Sequence, residues 1–173
     1  MMLAVRHPDA VGRLMVVDAM PFFSVLINPM ATEMLMRPQA EAAAGRMMMQ
    51  SPEEFAAAQA QAQANLVTRV EDQARATTWA VTSDRQVMAR AMAEVMTTDL
   101  RADIARIRVP VTVEAAYDPA TMAFPRAAVE ATWRFNYGAL AGATVQIVDP
   151  ARHYVMLDQP AVFAASVRGF LAN

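Results

Sequence analysis

Three short apolar runs, separated by sequence that favours helices, constrain the fold of this chain most strongly. The first, residues 14–17 (LMVV), is continuous and bounded by turn residues, which fits a strand buried on both faces of a parallel sheet. The second covers residues 109–118. The third, residues 144–149, alternates apolar and polar side chains, as an edge strand with one wet face does. The pattern therefore predicts an α/β protein with about three parallel strands.

Helix signals fill the chain between the first two predicted strands. The segment 51–54 (SPEE) places a serine cap, a first-turn proline and a capping-box glutamate in order, and 83–86 (SDRQ) is predicted to be a second capping box. Residues 30–105 are therefore predicted to be a long helical insertion, with a short helix and turn near its end. Two more helices are predicted, over about 125–137 and from Pro160 onward. The last should bury the apolar side chains Phe163, Val167, Phe170 and Leu171.

Composition excludes several classes of function. With 173 residues, of which 55% are hydrophobic and 18% charged, the chain suits a compact domain. It has no cysteine and only two histidines, so we expect no disulfide, no metal site and no cofactor. A net charge of −2 with scattered arginines gives no basic face for nucleic acid. The sequence predicts neither a membrane span nor a signal peptide, so the compartment is unknown, cytoplasmic by default.

The segment 153–160 (HYVMLDQP) resembles the catalytic-histidine segment of α/β-hydrolases. Residues 4–18, from Ala4 through His7-Pro8 to Val17-Asp18, are similar to the helix and strand that follow the nucleophile in that family. The order strand, helical insertion, strand with acid, helix, strand, histidine loop and helix resembles the C-terminal half of the fold. The resemblance implies hydrolase core over 1–29, a helical cap over 30–105, and core carrying acid and histidine over 106–173.

The resemblance also implies a set of site residues. His153 would shuttle the proton, and Asp118 would accept a hydrogen bond from its ring and stabilise the imidazolium. Asp18 is an alternative acid, because it too ends a strand at the catalytic face. Glu114 departs from the family pattern, and its charge should reach solvent or a partner. The substrate pocket is predicted to include four apolar side chains, those of Met20, Phe22, Phe23 and Met156.

The nucleophile of the family is missing from this sequence. None of the four serines, at positions 24, 51, 83 and 166, lies in a Gly-x-Ser-x-Gly elbow, and the donors of an oxyanion hole are missing with it. The chain is therefore expected to be a truncated part of a hydrolase that is inactive alone. Its first strand should be left unpaired along one edge.

Three functions remain open on the sequence alone. The first is hydrolysis of an ester or related acyl bond in a small apolar substrate by the complete parent protein. The second is a non-catalytic fragment that binds a partner chain or self-associates through the open sheet edge. The third is dehalogenation or C–C bond hydrolysis, which fold resemblance does not separate from the first.

Overall fold

The computed structural model describes residues 1–172, which form a three-stranded sheet and a set of helices. The strands are β1 (Leu14–Val17), β2 (Val111–Ala116) and β3 (Thr144–Val148). The α-helices are α1 (Met2–Arg6), α2 (Glu33–Met49), α3 (Pro52–Leu66), α4 (Val70–Thr82), α5 (Arg85–Thr97), α6 (Arg126–Asn136), α7 (Val155–Asp158) and α8 (Pro160–Ala172). Short 3₁₀ helices lie at Pro8–Ala10, Phe23–Leu26 and Asp103–Arg106.

All three strands are parallel and run in the order β1-β2-β3, so the predicted fold class is confirmed. The register aligns Val16 with Val113 and Val113 with Val145, and all three side chains are buried. On the opposite face of the sheet, Ala116 and Val148 pack with the start of α7 in a second apolar cluster. β2 is thus buried on both faces, which explains why its sequence is almost continuously apolar.

The exception in β2 is Glu114, whose expected route to solvent or a partner is not found. Its side chain is 0% exposed, and within residues 1–172 neither carboxylate oxygen has a hydrogen-bond partner. β1 and β3 flank β2 on both sides, so Glu114 lies in the central strand, away from either edge of the sheet. A buried carboxyl group without hydrogen bonds opposes folding.

β1 forms one edge of the sheet. Leu14 and Asp18 donate their N–H groups to Pro110 and Glu114, so the alternate residues Met15 and Val17 direct their backbone groups away from β2. Among the strands of residues 1–172, none pairs with that edge. The unpaired edge predicted from the sequence is therefore present in this sheet.

The chain divides into two compact units, one formed by residues 22–99 and the other by Met1–Pro21 with the chain from Leu100 onward. In the first, α2 packs against α5, and Phe22, Met36 and Met96 lie in its core. The predicted capping box of α3 is confirmed, with Ser51 and Glu54 exchanging hydrogen bonds.

Two local predictions are wrong. The N-cap of α5 is Asp84, whose side chain accepts a hydrogen bond from the N–H of Val87. Ser83 instead ends α4, and its hydroxyl donates to the backbone carbonyl oxygen of Trp79. Asp84 lies directly before the helix, in the N-cap position, and aspartate caps a helix as well as serine does. In α8 burial was expected for four side chains, but Leu171 is exposed and Phe163, Val167 and Phe170 are only half-buried. No helix within residues 1–172 has the length and apolarity needed to cross a bilayer.

Candidate active site

Asp18 lies directly after β1 and is held by β2 through backbone and side chain. It adopts a left-handed backbone with φ of 46°, a region that aspartate tolerates better than most residues. Its N–H donates to the carbonyl oxygen of Glu114 at 2.7 Å, and its Oδ1 accepts the N–H of Ala116 at 2.8 Å. These contacts fix the carboxylate and leave Oδ2 available to another donor.

His153 follows β3, on the loop that leads into α7. The preceding Ala151 is buried and donates its N–H to the carbonyl oxygen of Tyr117 at 2.8 Å, which ties the loop to the end of β2. Nδ1 of His153 lies 2.9 Å from Oδ2 of Asp18. The imidazole is 44% exposed and the Asp18 side chain 16%, so the ring is accessible while the carboxylate beneath it is mostly covered.

This geometry defines the tautomer of the neutral imidazole. An ionised carboxylate only accepts hydrogen bonds, so Nδ1 carries the proton and donates it to Asp18. Nε2 then presents a lone pair, which is the arrangement a general base needs to take a proton from a nucleophile. The negative charge of Asp18 also stabilises the imidazolium that forms after that transfer.

Asp118, the preferred acid in the sequence analysis, binds a different group. Its Oδ2 accepts from Nε of Arg152 at 2.8 Å and from the Thr121 hydroxyl at 3.2 Å, and its Oδ1 accepts the N–H of Ala120 at 3.0 Å. The expected hydrogen bond to His153 is not among its contacts, because the guanidinium of Arg152 occupies the carboxylate. The Arg152 hydrogen bond lowers the pKa of Asp118 below its ordinary value, although burial opposes this shift.

Tyr137 is a neighbour of Asp18 that the sequence analysis did not assign to the site. Its hydroxyl donates to the carbonyl oxygen of Ala19, and its ring stacks on Trp133, one helical turn earlier in α6. Burial raises the pKa of Tyr137, and the charge of Asp18 adds to the shift. The spacing of Trp133 and Tyr137 is a helical signal that could have marked Tyr137 as a buried residue.

The four predicted pocket residues lie in different environments. Phe22 is fully buried in the core of the helical unit, and Phe23 packs against the same cluster. In the other unit Met20 is buried and Met156 is partly exposed on α7. Their role as pocket residues stays a prediction.

The serines of the described chain lie at structural positions. Ser24 is buried and donates to the carbonyl oxygen of Met96, and Ser51 caps α3. Ser83 ends α4, and Ser166 lies within α8. Within residues 1–172, no serine lies on a turn between a strand and a helix, which is the geometry of the elbow.

Comparison with known proteins identifies the fold. No family model matches the chain, and no curated protein matches its sequence. Among solved structures, a hydrolase from Pseudomonas aeruginosa superposes with a TM-score of 0.74 at 22% identity, over 99% of this chain and 60% of its own. An enol-lactonase from Burkholderia xenovorans gives a TM-score of 0.71 at 22% identity over the same shares.

A third match carries the name of the fold. It is an α/β-hydrolase enzyme from a deep-sea metagenome library, with a TM-score of 0.59 at 14% identity over 99% of this chain and 60% of its own. The chain therefore has the α/β-hydrolase fold, as the sequence resemblance predicted. It spans about 60% of the length of these three solved proteins.

Proposed function

We propose that this chain carries the acid–histidine part of a hydrolytic site, with Asp18 as the acid and His153 as the general base. The observation that carries the proposal is the 2.9 Å contact between Asp18 Oδ2 and His153 Nδ1. In open α/β sheets, ligand sites form at the carboxyl ends of strands, where both residues lie. Asp118 was the first choice of acid on sequence grounds, and its ion pair with Arg152 favours Asp18 instead.

The proposed reaction is hydrolysis of an ester or related acyl bond in a small apolar molecule. His153 would accept the nucleophile's proton at Nε2 and later deliver it to the leaving group, while Asp18 holds the ring and stabilises its charge. None of the serines at 24, 51, 83 and 166 has the elbow environment of a nucleophile. The proposal therefore assigns the nucleophile and the oxyanion donors to polypeptide outside these 173 residues.

The histidine tautomer tests the proposed pair directly. Imidazole nitrogen spectra of the ¹⁵N-labelled chain contain signals from only His7 and His153, so His7 serves as an internal control. At about pH 9, where ordinary imidazoles are neutral, we expect the Nδ1–H form for His153. A His153 spectrum equal to that of His7 would contradict the proposed pair.

Asp18→Asn is the matched variant for this measurement. The amide oxygen would keep the N–H of Ala116, which turns the NH₂ group toward His153 Nδ1. Because NH₂ donates, the ring is expected to switch to the Nε2–H form. Asp118→Asn should not give this full switch, because it leaves the carboxylate of Asp18 in place.

An esterase assay tests where the nucleophile lies. The 173-residue chain, given a short p-nitrophenyl ester, is expected to show no turnover above the His153→Ala variant. Turnover that is lost in His153→Ala would place a nucleophile within this chain. That result would overturn the assignment of the nucleophile to other polypeptide while leaving the acid–histidine pair intact.

A second candidate function rests on the free edge of β1, where Met15 and Val17 direct their backbone groups away from the sheet. Such an edge is a template for strand pairing, and we propose that it pairs with a second copy of this chain. Sedimentation equilibrium should then show a dimer. Met15→Pro removes one outward N–H without touching the ladder to β2, so this variant should sediment as a monomer. A monomeric parent chain would refute this candidate.

A further inference from the structure

Arg152, the residue next to the proposed base, forms an ion pair with the buried carboxylate of Asp118. It immediately precedes His153, so its Cα lies about 3.8 Å from that of the histidine. Its Nε donates to Asp118 Oδ2 at 2.8 Å, and the two side chains are only 18% and 8% exposed. Any displacement of Arg152 is therefore passed directly to the backbone that carries the imidazole.

Asp118 is itself fixed on the loop after β2. Its Oδ1 accepts the N–H of Ala120 at 3.0 Å, and its Oδ2 accepts the hydroxyl of Thr121 at 3.2 Å. Tyr117, the residue before it, donates its N–H to Val148 at 3.0 Å and accepts the N–H of Ala151 at 2.8 Å. The loop after β2 thus holds the loop after β3 through both backbone and side chain.

The imidazole has fewer contacts than the backbone that carries it. The ring bonds to Asp18 and lies beside Tyr154 in a tilted contact, with centroids 5.3 Å apart. Arg152 by contrast is tied at both ends, because its N–H also donates to Asp158 Oδ2 at 2.8 Å. The orientation of the ring toward Asp18 therefore depends on the position of Arg152.

We propose that Asp118 is a positioning residue that acts through Arg152 to keep His153 aimed at Asp18. The two carboxylates at this edge of the sheet then have separate tasks: Asp18 binds the ring and Asp118 binds the loop. This inference rests on the proposed Asp18–His153 pair. It assigns Asp118 a role different from that of the hydrogen-bond acceptor for the histidine.

Asp118→Asn is the variant that separates these tasks. The amide oxygen of the asparagine can still accept the hydrogen bond from the N–H of Ala120. Its NH₂ group then faces Nε of Arg152, and two donors do not form a hydrogen bond with each other. The ion pair is lost but the turn after β2 is retained. Arg152→Gln removes the same pair from the other side, and the double variant tests whether the two residues act as one unit.

Two measurements follow the effect on the full 173-residue chain. Amide hydrogen exchange at Ala151 and Arg152 should accelerate roughly 10- to 100-fold in Asp118→Asn, the loss expected for a mostly buried charge-assisted hydrogen bond. The ¹⁵N imidazole signals of His153 should move partway toward those of His7, as the ring leaves Asp18 for part of the time. Arg152→Gln and the double variant should give shifts of the same size, not the sum of two effects.

Asp103→Asn is the matched control, because it breaks an ion pair of the same chemistry, that with Arg106, on the surface. It should leave both measurements unchanged. If exchange accelerates in Asp118→Asn while the His153 signals stay as in the parent chain, Asp118 only secures the backbone and the positioning role is refuted. Unchanged exchange would also overturn the inference.

The results also separate this inference from the proposed function. If His153 in the parent chain shows no preference for Nδ1–H, the Asp18–His153 pair fails, whatever Asp118 does. If the parent chain shows that preference and Asp118→Asn preserves it fully, the pair stands and the positioning role fails.

Discussion

Replacing Glu114 by methionine is expected to stabilise the protein. The carboxyl group lies in the central strand with neither oxygen hydrogen-bonded in the described structure, and burying such a group costs about 1–3 kcal/mol by mutational data. Methionine is unbranched and of similar length, so it removes that cost without leaving a cavity. The free energy of unfolding should rise by about 1–3 kcal/mol. For a chain of this size each kcal/mol raises Tm by about 2–4 °C.

Thermal and urea unfolding followed by circular dichroism would measure this change. The matched control is Gln146→Met, because Gln146 is the register neighbour of Glu114 on the edge strand and is exposed. The control should stay within about 0.5 kcal/mol of the parent chain. Glu114→Gln should gain less than Glu114→Met, since an amide leaves its own polar atoms unpaired. A Glu114→Met chain less stable than Gln146→Met would refute the reasoning and show that the carboxyl group has a partner.

Three further predictions concern stability at other positions. Folding lowers the pKa of Asp118 below its ordinary value of 3.8, so the ionised carboxylate stabilises the protein fully above that pH. This stabilisation is lost as the pH falls through the lowered pKa of the folded state. The acid unfolding curve of Asp118→Asn should lack this pH-dependent loss. Because the pKa of Tyr137 is raised above 10.0, stability should fall as the pH rises past 10, and Tyr137→Phe should show a smaller fall in alkaline unfolding experiments. Ser51→Ala should lower the free energy of unfolding by about 1 kcal/mol through loss of the α3 capping box, as measured by urea unfolding, with Ser51→Thr retaining most of it.

The elements of the fold were largely predictable because their signals are local. The apolar run at 14–17 and the alternation at 144–148 correspond to β1 and β3, and Ser51 marks the start of α3 as expected. Where two polar residues compete for one cap, as Ser83 and Asp84 do, the local pattern does not decide which one takes it.

The choice between the two acids could not be made from strand order. Both Asp18 and Asp118 follow strands at the same edge of the sheet. Asp118 was preferred because it follows the penultimate strand, where most α/β-hydrolases carry the acid. The contact that favours Asp18 in our proposal comes from a side chain outside the histidine motif. Arg152 is a cation one residue before the histidine, and its guanidinium takes the carboxylate of Asp118.

The backbone of Asp18 determines which substitutions can test its chemistry. Its φ of 46° is tolerated by aspartate and asparagine but strains most other side chains, so Asp18→Ala would combine loss of charge with backbone strain. That strain would act on β2 as well, because Asp18 bonds the backbone of both Glu114 and Ala116. Asp18→Asn keeps the conformation and the Ala116 contact and changes only the atom that faces His153. A change in the His153 tautomer without a change in Tm is therefore the result that isolates the role of the carboxylate.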